Sequence, residues 1–553
     1  MGESRFASVR RSVVLGAFSS LGLVLSASPA GAATTLSADA AAAFDLKVVT
    51  PTNLPLSTDV AVLPDGRLIV LQKNGDVLTF PPGSLVSTKE HIDVEDNHDE
   101  RGLLGVVIDP NFATNQYIYF YASIEKDNKN SNNRHKVLRY KFSADSKLSE
   151  QKVLIDMGLW GPANHNGGAI DIYQGNLYIG VGDTGANATP PQNRFGTCLN
   201  HLNGKVLRVS ATDGQPPADN PLMNVDMATA CDGTGSAFTM AAPQKAIYGW
   251  GFRNPFRLWV DKTNGKVWVG DVGESTKEEI TIAQMGKHHG YPFQEGTKDW
   301  AQGFAPAGEC QGVTPASACV APVYDYDHSD GNNCVIGGRI LDGCDWPAAW
   351  KSRYVFGDDG SGNIWTLDVN ATRDGVVANS RKDFAKADGT SLTSIRMGSD
   401  NALYIVEKSR VSRITAKGNA ATANSCPAVN GESGMGLAGS GSGGAANGGA
   451  ATGGSNASGG SATSGGSGNA AAGSGNASGG TNNGTGGSAG SSSSTAGAGP
   501  GNAGAAGSAG SDDSGGCGCH VVGGTAASGL GLGSVALALA AALRRRRARQ
   551  SRH

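Results

Sequence analysis

The fold of this chain is decided by a short unit that reads Gly175-Asn176-Leu177-Tyr178-Ile179-Gly180. A turn rich in Gly and Asn opens the unit, and an apolar run typical of a buried strand follows it. Units of the same kind recur at residues 65–70, 115–120, 264–269, 353–357 and 401–406. Such repeated units, without a long amphipathic helix, predict an all-β protein and favour a β-propeller whose blades close into a ring. Their uneven spacing does not give the number of blades.

Candidate catalytic residues lie on either side of this unit. His165 stands before it in the Gly-rich loop Asn164-His165-Asn166-Gly167-Gly168, and Asp183 ends the strand that follows. A histidine is the side chain best suited to accept a proton near neutral pH. On these residue types alone, a turn-capping histidine and a hairpin-closing aspartate explain the pattern at least as well as a catalytic pair does.

Length and charge limit the class of protein. The chain has 553 residues and a formal net charge of −3, which gives no electrostatic case for binding nucleic acid. The first 33 residues resemble a secretory signal peptide, with basic residues, a short apolar run and the small-residue site Ala30-Gly31-Ala32. We therefore expect an exported protein whose folded domain spans residues 34–426.

Export makes disulfides the expected state of the cysteines in the folded domain. The short spacings favour the pairs Cys310–Cys319 and Cys334–Cys344, which leaves Cys198–Cys231. Six cysteines allow fifteen connectivities, so the sequence does not fix the pairing. A metal site is the weaker interpretation, because no C-x-x-C pair or histidine cluster accompanies these residues.

The C-terminal part changes character twice. Residues 427–515 consist mainly of Gly, Ser, Ala, Asn and Thr, and such a composition predicts a disordered, flexible tether. Residues 516–553 combine Cys517-Gly518-Cys519, an uncharged run at 521–543 long enough to span a bilayer, and four consecutive arginines. This arrangement resembles the C-terminal sorting tags of myxobacterial surface proteins. It predicts that the folded domain is held at the cell surface or the outer membrane, or is released after processing.

Several sequence blocks, taken in order, resemble the soluble glucose/sorbosone dehydrogenases, which use pyrroloquinoline quinone (PQQ), and within them the Hedgehog-interacting-protein-like branch. The resemblance covers roughly residues 48–416, and an ordered set of blocks is more specific than any single motif. It implies a six-bladed propeller. The blocks are 100–112, 165–168, 182–185, 204–208, 251–257, 270–274, 278–280, 290–292 and 295–296.

The resemblance also assigns roles to residues in these blocks. His165 is implied as the catalytic base, with Asp183 orienting it, and Arg253 as the group that faces the quinone oxygen. Asn254 and Glu100 are implied on the cofactor and substrate side. The backbone carbonyls of Gly273 and Glu274 match a calcium site beside the quinone. The cofactors expected are therefore PQQ and Ca²⁺, and the chemistry is oxidation of a sugar or polyol, with an unknown electron acceptor. A purely structural role for Arg253 is the alternative.

The sequence departs from the family where the carboxylates of PQQ are held. A family Lys corresponds to Asp342, and a pair of family Arg residues corresponds to Ser391 and Thr393. Arg339 and Arg396 lie nearby in sequence as potential substitutes. Two other functions therefore remain open: a non-catalytic surface propeller that binds a polysaccharide or a protein, and a calcium-dependent hydrolase, since a fold does not fix a function.

Overall fold

A computed structural model describes residues 33–96, 100–125, 133–159, 164–185, 195–229, 237–299, 319–343, 345–388 and 390–418. The expected signal peptide, tether and sorting tag lie outside these residues. The helices in the described part are short: α1 (Ala38–Ala43), α2 (Phe112–Asn115), α3 (Ala242–Lys245) and a 3-10 turn at Ala348–Trp350. None of them is long and apolar enough to cross a bilayer.

In the described part of the chain, six antiparallel sheets of four or five strands follow one another, and we call these sheets blades 1 to 6. Two strands precede blade 1, namely β1 (Thr35–Leu36) and β2 (Phe44–Val48). Blade 1 contains β3 (Ser57–Val62), β4 (Leu68–Gln72), β5 (Asp76–Phe80) and β6 (Thr88–His91). Blade 2 contains β7 (Leu103–Ile108), β8 (Tyr117–Glu125), β9 (Asn133–Phe142) and β10 (Leu148–Leu159). Blade 3 contains β11 (Ala169–Tyr173), β12 (Asn176–Val181), β13 (Lys205–Ser210) and β16 (Ile247–Trp250).

The remaining blades follow the same plan. Blade 4 contains β17 (Pro255–Val260), β18 (Val267–Asp271), β19 (Lys277–Ala283) and β22 (Tyr324–Asp327). Blade 5 contains β23 (Val335–Ile340), β24 (Arg353–Asp358), β25 (Asn363–Asp368) and β26 (Lys382–Lys386), with β1 added at its outer edge. Blade 6 contains β27 (Leu392–Met397), β28 (Leu403–Glu407) and β29 (Arg410–Ala416), with β2 outermost. Two small hairpins interrupt blades 3 and 4: β14 (Met227–Thr229) with β15 (Ala237–Thr239), and β20 (Gln294–Glu295) with β21 (Lys298–Asp299).

The first strand of each blade contacts the first strand of the next, from β3 through β7, β11, β17, β23 and β27 back to β3. The ring is closed by β2, which pairs with β29 from Phe44 opposite Ala416 to Val48 opposite Ser412. The N-terminal part of the domain thus completes the blade built by its C-terminal part, and the two are held together by backbone hydrogen bonds. The prediction of an all-β, six-bladed propeller is confirmed.

The inner strands approach one another closely. A Cβ at Gly105 in blade 2 would lie only 2.1 Å from the carbonyl oxygen of Gly168 in blade 3. The chain passes through four antiparallel strands in each of blades 1 to 5, so it ends each of these blades at the same face of the ring at which it began. Every inner strand therefore begins at that face. We call this face the upper face and the opposite one the lower face.

Cys198, Cys319 and Cys334 are each disulfide-bonded. Their expected partners Cys231, Cys310 and Cys344 lie outside the described residues, so the pairing stays a prediction.

Candidate active site

His165 and Asp183 meet on the upper face of blade 3, as the sequence predicts. Nδ1 of His165 lies 2.7 Å from Oδ1 of Asp183, and both side chains are buried. A carboxylate oxygen only accepts, so Nδ1 of His165 donates, and in the neutral ring Nε2 then carries the lone pair. Nε2 has no hydrogen-bond partner among the described residues. The pair therefore holds a base in one tautomer with its reactive nitrogen still available.

Blades 3 and 4 are joined at this site by Asn254. Its Oδ1 accepts a hydrogen bond of 3.0 Å from the backbone N–H of Gly167, and the backbone N–H of Asp183 donates to the carbonyl of Arg253 at 2.7 Å. Nδ2 of Asn254 is buried and has no partner among the described residues. A buried donor without a partner is costly, so this amide is a strong candidate to bind a ligand.

Gly182 is required where these two blades meet. A Cβ at this position would lie 1.9 Å from the carbonyl oxygen of His165 and 3.0 Å from Oδ1 of Asn254. The first of these atoms is backbone and cannot move aside, so only glycine lets the two residues approach this closely.

Arg253 is fully buried and lies against a carboxylate. Its Nε donates to Oε2 of Glu274 at 3.0 Å, and its Nη1 donates to the carbonyl of Val272 at 3.2 Å. The hydroxyl of Tyr291 donates to the same Oε2 at 2.8 Å. Burial works to lower the pKa of Arg253, but the charge of Glu274 and the neighbouring Tyr291 and Asp183 outweigh it and raise that pKa. The guanidinium is thus held as a cation beside the His165–Asp183 pair.

Asp271 fixes the backbone that carries these residues. Its two carboxylate oxygens accept the backbone N–H groups of Arg253 at 3.0 Å and of Asn254 at 2.7 Å. Burial raises the pKa of Asp271 to about 7, against the lowering effect of those two N–H groups. One carboxyl group therefore sets the position of both the guanidinium and the amide.

Glu295 organises the loop after β18. Its Oε1 accepts the backbone N–H groups of four successive residues, 274–277, at 2.7, 2.7, 2.8 and 3.1 Å. Its Oε2 accepts the hydroxyl of Thr276 at 2.5 Å. Burial opposes ionisation, yet these hydrogen bonds lower the pKa of Glu295. The sequence pointed to the 290–292 and 295–296 blocks but not to the roles of Tyr291 and Glu295, because neither is near Glu274 in sequence.

The expected calcium site lies in this loop. Neither the carbonyl oxygen of Gly273 nor that of Glu274 accepts a hydrogen bond from the described residues. Within that part of the chain, no group of three or more His, Cys, Asp or Glu side chains is placed to hold a metal ion. Any cation here would therefore depend on backbone oxygens, which hard cations accept.

Glu100 lies beside the histidine loop. Its side chain is buried, and Oε2 accepts the backbone N–H of Asn166 at 3.4 Å. The structure thus brings Glu100, His165, Asp183, Arg253 and Asn254 together at the upper ends of blades 2, 3 and 4.

Comparison with known proteins identifies the family of this chain. A family model described as Glucose / Sorbosone dehydrogenase matches residues 54–416. The chain belongs to this family. It is 26% identical over 360 residues to the aldose sugar dehydrogenase YliI of Escherichia coli, which covers 63% of this chain and 85% of that protein. It is 28% identical over 277 residues to quinoprotein glucose dehydrogenase B of Acinetobacter calcoaceticus, which covers 46% and 54%.

One further relative and one solved structure are also similar to this chain. The HIPL1 protein of Arabidopsis thaliana is 24% identical over 252 residues, which is 44% of this chain and 35% of that protein. The apo-form crystal structure of the soluble aldose sugar dehydrogenase from Escherichia coli superimposes with a TM-score of 0.54 at 22% identity. That superposition covers 68% of this chain and all of the other, and it shows that the two share a fold.

The family clamp for a cofactor carboxylate is absent at the expected positions. Asp342 follows β23 on the lower face, where it forms two hydrogen bonds with Arg373, so it does not reach the site. Thr393 donates to the carbonyls of Ser57 and Val406, and Ser391 donates to the carbonyl of Asp388. Ser391 directly precedes β27, and Thr393 is its second residue. Both therefore lie at the upper end of blade 6, and neither hydroxyl group carries a charge.

Arg339 and Arg396, the suggested substitutes for this clamp, lie away from the upper ends of their strands. Both are the fifth residue of their inner strand, so they lie about 13 Å from its upper end at 3.3 Å per residue. Arg396 also binds Asp59 through Nε at 2.9 Å and Nη2 at 2.6 Å. The suggestion that these arginines substitute for the clamp stays a prediction.

Proposed function

We propose that this glucose/sorbosone dehydrogenase family member oxidises a hydroxyl group of a sugar or polyol, with PQQ as its cofactor. The observation that carries the proposal is the His165–Asp183 hydrogen bond of 2.7 Å, which leaves Nε2 of His165 as a buried base. The names of two relatives, an aldose sugar dehydrogenase and a quinoprotein glucose dehydrogenase, support the substrate class and the cofactor.

The residues present suit the quinone end of PQQ. Arg253 and the unpartnered Nδ2 of Asn254 would contact the quinone side, and the carbonyls of Gly273 and Glu274 would hold a calcium ion. When bound, the cofactor supplies the acceptor for the hydride that leaves the substrate carbon. The carboxylate end would meet Ser391 and Thr393, which are neutral, so binding there is weaker than with a lysine and two arginines.

The protein's own contribution is proton transfer and electrostatics. Nε2 of His165 accepts the proton of the substrate hydroxyl as the carbonyl forms, and Asp183 stabilises the resulting imidazolium. Arg253 places a permanent positive charge where negative charge develops. Burial of all three side chains keeps water from competing for these contacts.

A non-catalytic surface propeller is the second candidate, and the uncharged clamp positions favour it. A calcium-dependent hydrolase has less support, because the described residues contain no carboxylate cluster that would hold a catalytic cation.

The deciding experiment is titration of the full-length protein with PQQ in the presence of calcium, followed by dye reduction with aldoses and polyols. We expect the wild type to bind PQQ and reduce the dye. His165→Gln should bind PQQ within about twofold of wild type and lose about 10²- to 10⁴-fold in turnover. Wild-type protein that binds no PQQ would reject the dehydrogenase and favour the surface propeller.

A further inference from the structure

A cleft of about 690 Å³ opens on the lower face, between blades 2 and 3. This volume is in the range of small-molecule sites. Its walls come from the lower ends of β7 and β11 and from β8, β9 and β10. The chain advances about 13 Å along β11, from Ala169 on the His165 side to Tyr173 at the cleft. The cleft is therefore separate from the candidate active site.

Two cations in this cleft share a single neutral acceptor. Nη1 of Arg139 and Nζ of Lys152 both donate to the carbonyl oxygen of Thr212, at 3.0 and 2.9 Å. Neither side chain forms an ion pair within the described part of the chain. Hydrogen bonds with Ser210 and Gln215 chiefly lower the pKa of Asp213, and the charge of Lys152 adds to this, but Lys152 and Asp213 form no ion pair. The other charged residues of the lining are Asp109, whose Oδ2 accepts from the hydroxyl of Tyr119 at 2.6 Å, and Lys262, which pairs with Asp171 at 2.8 Å. Arg139 and Lys152 thus converge on one carbonyl oxygen, and neither has an ion-pair partner in the described part of the chain.

The strand register makes this convergence unfavourable in the free protein. Lys152 in β10 lies directly opposite Arg139 in β9. Like charges directly opposite each other on neighbouring strands destabilise a sheet. An anion bound between the two side chains would remove this repulsion.

Aromatic and amide side chains surround the two cations. The guanidinium of Arg139 stacks 4.0 Å above the ring of Tyr117, which fixes its orientation, and Nε of Arg139 has no hydrogen-bond partner among the described residues. The half-buried ring of Tyr173 lies in the opposite wall, on blade 3. The amide side chains in the lining are Asn111, Asn115 and Gln174.

We propose that this cleft binds a saccharide that carries a carboxylate, such as a uronic acid unit. The carboxylate would lie between Arg139 and Lys152, where charge-assisted hydrogen bonds are strong. The apolar C–H face of the sugar ring would pack on Tyr173, and its hydroxyl groups would bond the amides. The cleft would thereby hold an acidic glycan on the face opposite the site of oxidation, whether or not a cofactor is bound.

The test is calorimetric titration of the full-length protein with trigalacturonic acid, with its fully methyl-esterified form as the neutral match. Inorganic phosphate and acetate serve as anions without a sugar ring. Arg139→Met and Lys152→Met should each weaken trigalacturonate binding at least tenfold. Lys141→Met is the control, because Lys141 lies on the same strand but pairs with Glu150 at 2.8 Å outside the cleft.

We expect trigalacturonate to bind the wild type and the control variant equally, and the ester and the simple anions to bind at least tenfold more weakly. Arg139→Lys, which keeps the charge, should retain more affinity than Arg139→Met. The proposal would be overturned if the ester or phosphate bound as tightly as trigalacturonate. It would also be overturned if both Met variants bound trigalacturonate as the wild type does, or if trigalacturonate did not bind at all. No readout depends on PQQ or turnover, so this result is independent of the proposed dehydrogenase activity.

Discussion

The carboxylate of Glu274 lies 3.0 Å from Nε of Arg253, so the cation expected to face a quinone is already paired within the protein. Arg253 is almost completely buried, whereas the Glu274 side chain is 16% exposed. An anionic ligand at Arg253 must therefore compete with, or lie beside, a fixed negative charge.

Replacing Glu274 by Gln should strengthen PQQ binding. The substitution removes the negative charge but keeps a side chain that can accept from Arg253 and Tyr291, and it leaves the backbone carbonyl unchanged. We expect a gain of about threefold to tenfold in affinity, in the range of a single partly exposed charge interaction. Fluorescence titration with PQQ in the presence of calcium measures it, and a loss of affinity would show that Glu274 helps to hold the ligand.

Asp183→Asn should impair turnover while leaving PQQ binding intact. The amide no longer stabilises the imidazolium of His165 and allows the ring to adopt the other tautomer. We expect kcat to fall about 10²-fold or more, with PQQ affinity within about twofold of wild type. Asp156→Asn is the control, since Asp156 pairs with Arg134 at the surface of blade 2. A parallel loss of binding and turnover would instead indicate a structural role for Asp183.

Glu295→Gln should destabilise the protein and loosen the loop after β18. A carboxylate that accepts from four backbone N–H groups and one hydroxyl is replaced by an amide with a single acceptor oxygen. We expect a loss of about 2–3 kcal/mol in the free energy of unfolding, as for hydrogen bonds to charged groups. Denaturant unfolding provides the measurement. Glu150→Gln, at an exposed ion pair, should give no measurable change.

The free energy of unfolding should fall in mild acid, because buried histidines take up protons less readily in the folded protein than in the unfolded chain. Burial, together with the charge of Arg101, lowers the pKa of His135 to about 3, and burial lowers that of His289 to about 4. Their unfolded pKa is about 6.5, so between pH 6.5 and about 4 the unfolded chain binds more protons than the folded one. Each such proton costs about 1.36 kcal/mol of stability per pH unit as the pH falls. Unfolding curves at pH 7 and pH 5 should show this, and His135→Gln should reduce the difference.

We propose that the protein is exported and held at the cell surface by its C-terminal segment, with the span at 521–543 and the terminal arginines as the supporting pattern. Deleting residues 516–553 should release the folded domain into the medium. Fractionation of cells and medium, followed by immunoblotting, measures the distribution. A truncated protein that remains with the cells would show that another part of the chain anchors it.

The six turn–strand units in the sequence are the second strands of the six blades, β4, β8, β12, β18, β24 and β28. They stand out because a tight turn and an apolar run are local features. The blade count is hidden by long insertions within blades 3 and 4, whose lengths follow no period.

The candidate site was predictable to the extent that family blocks mark it. The pairing of Arg253 with Glu274, the support from Asp271 and the loop held by Glu295 were not, because they join residues that meet only after the blades assemble. The clamp assignment at Asp342 was misleading for a related reason. A position two residues after an inner strand lies on the lower face, and sequence alignment alone does not show which face a loop occupies.

The closure of blade 6 also determines how the propeller responds to force. The chain leaves the ring through β29, which is hydrogen-bonded to β28 on one side and to β2 on the other. Tension applied along this strand would load both ladders in shear at once. A strand at the sheet edge would instead peel away one bond at a time. Because β29 lies between two hydrogen-bonded strands, blade 6 is the part of the domain that resists this tension.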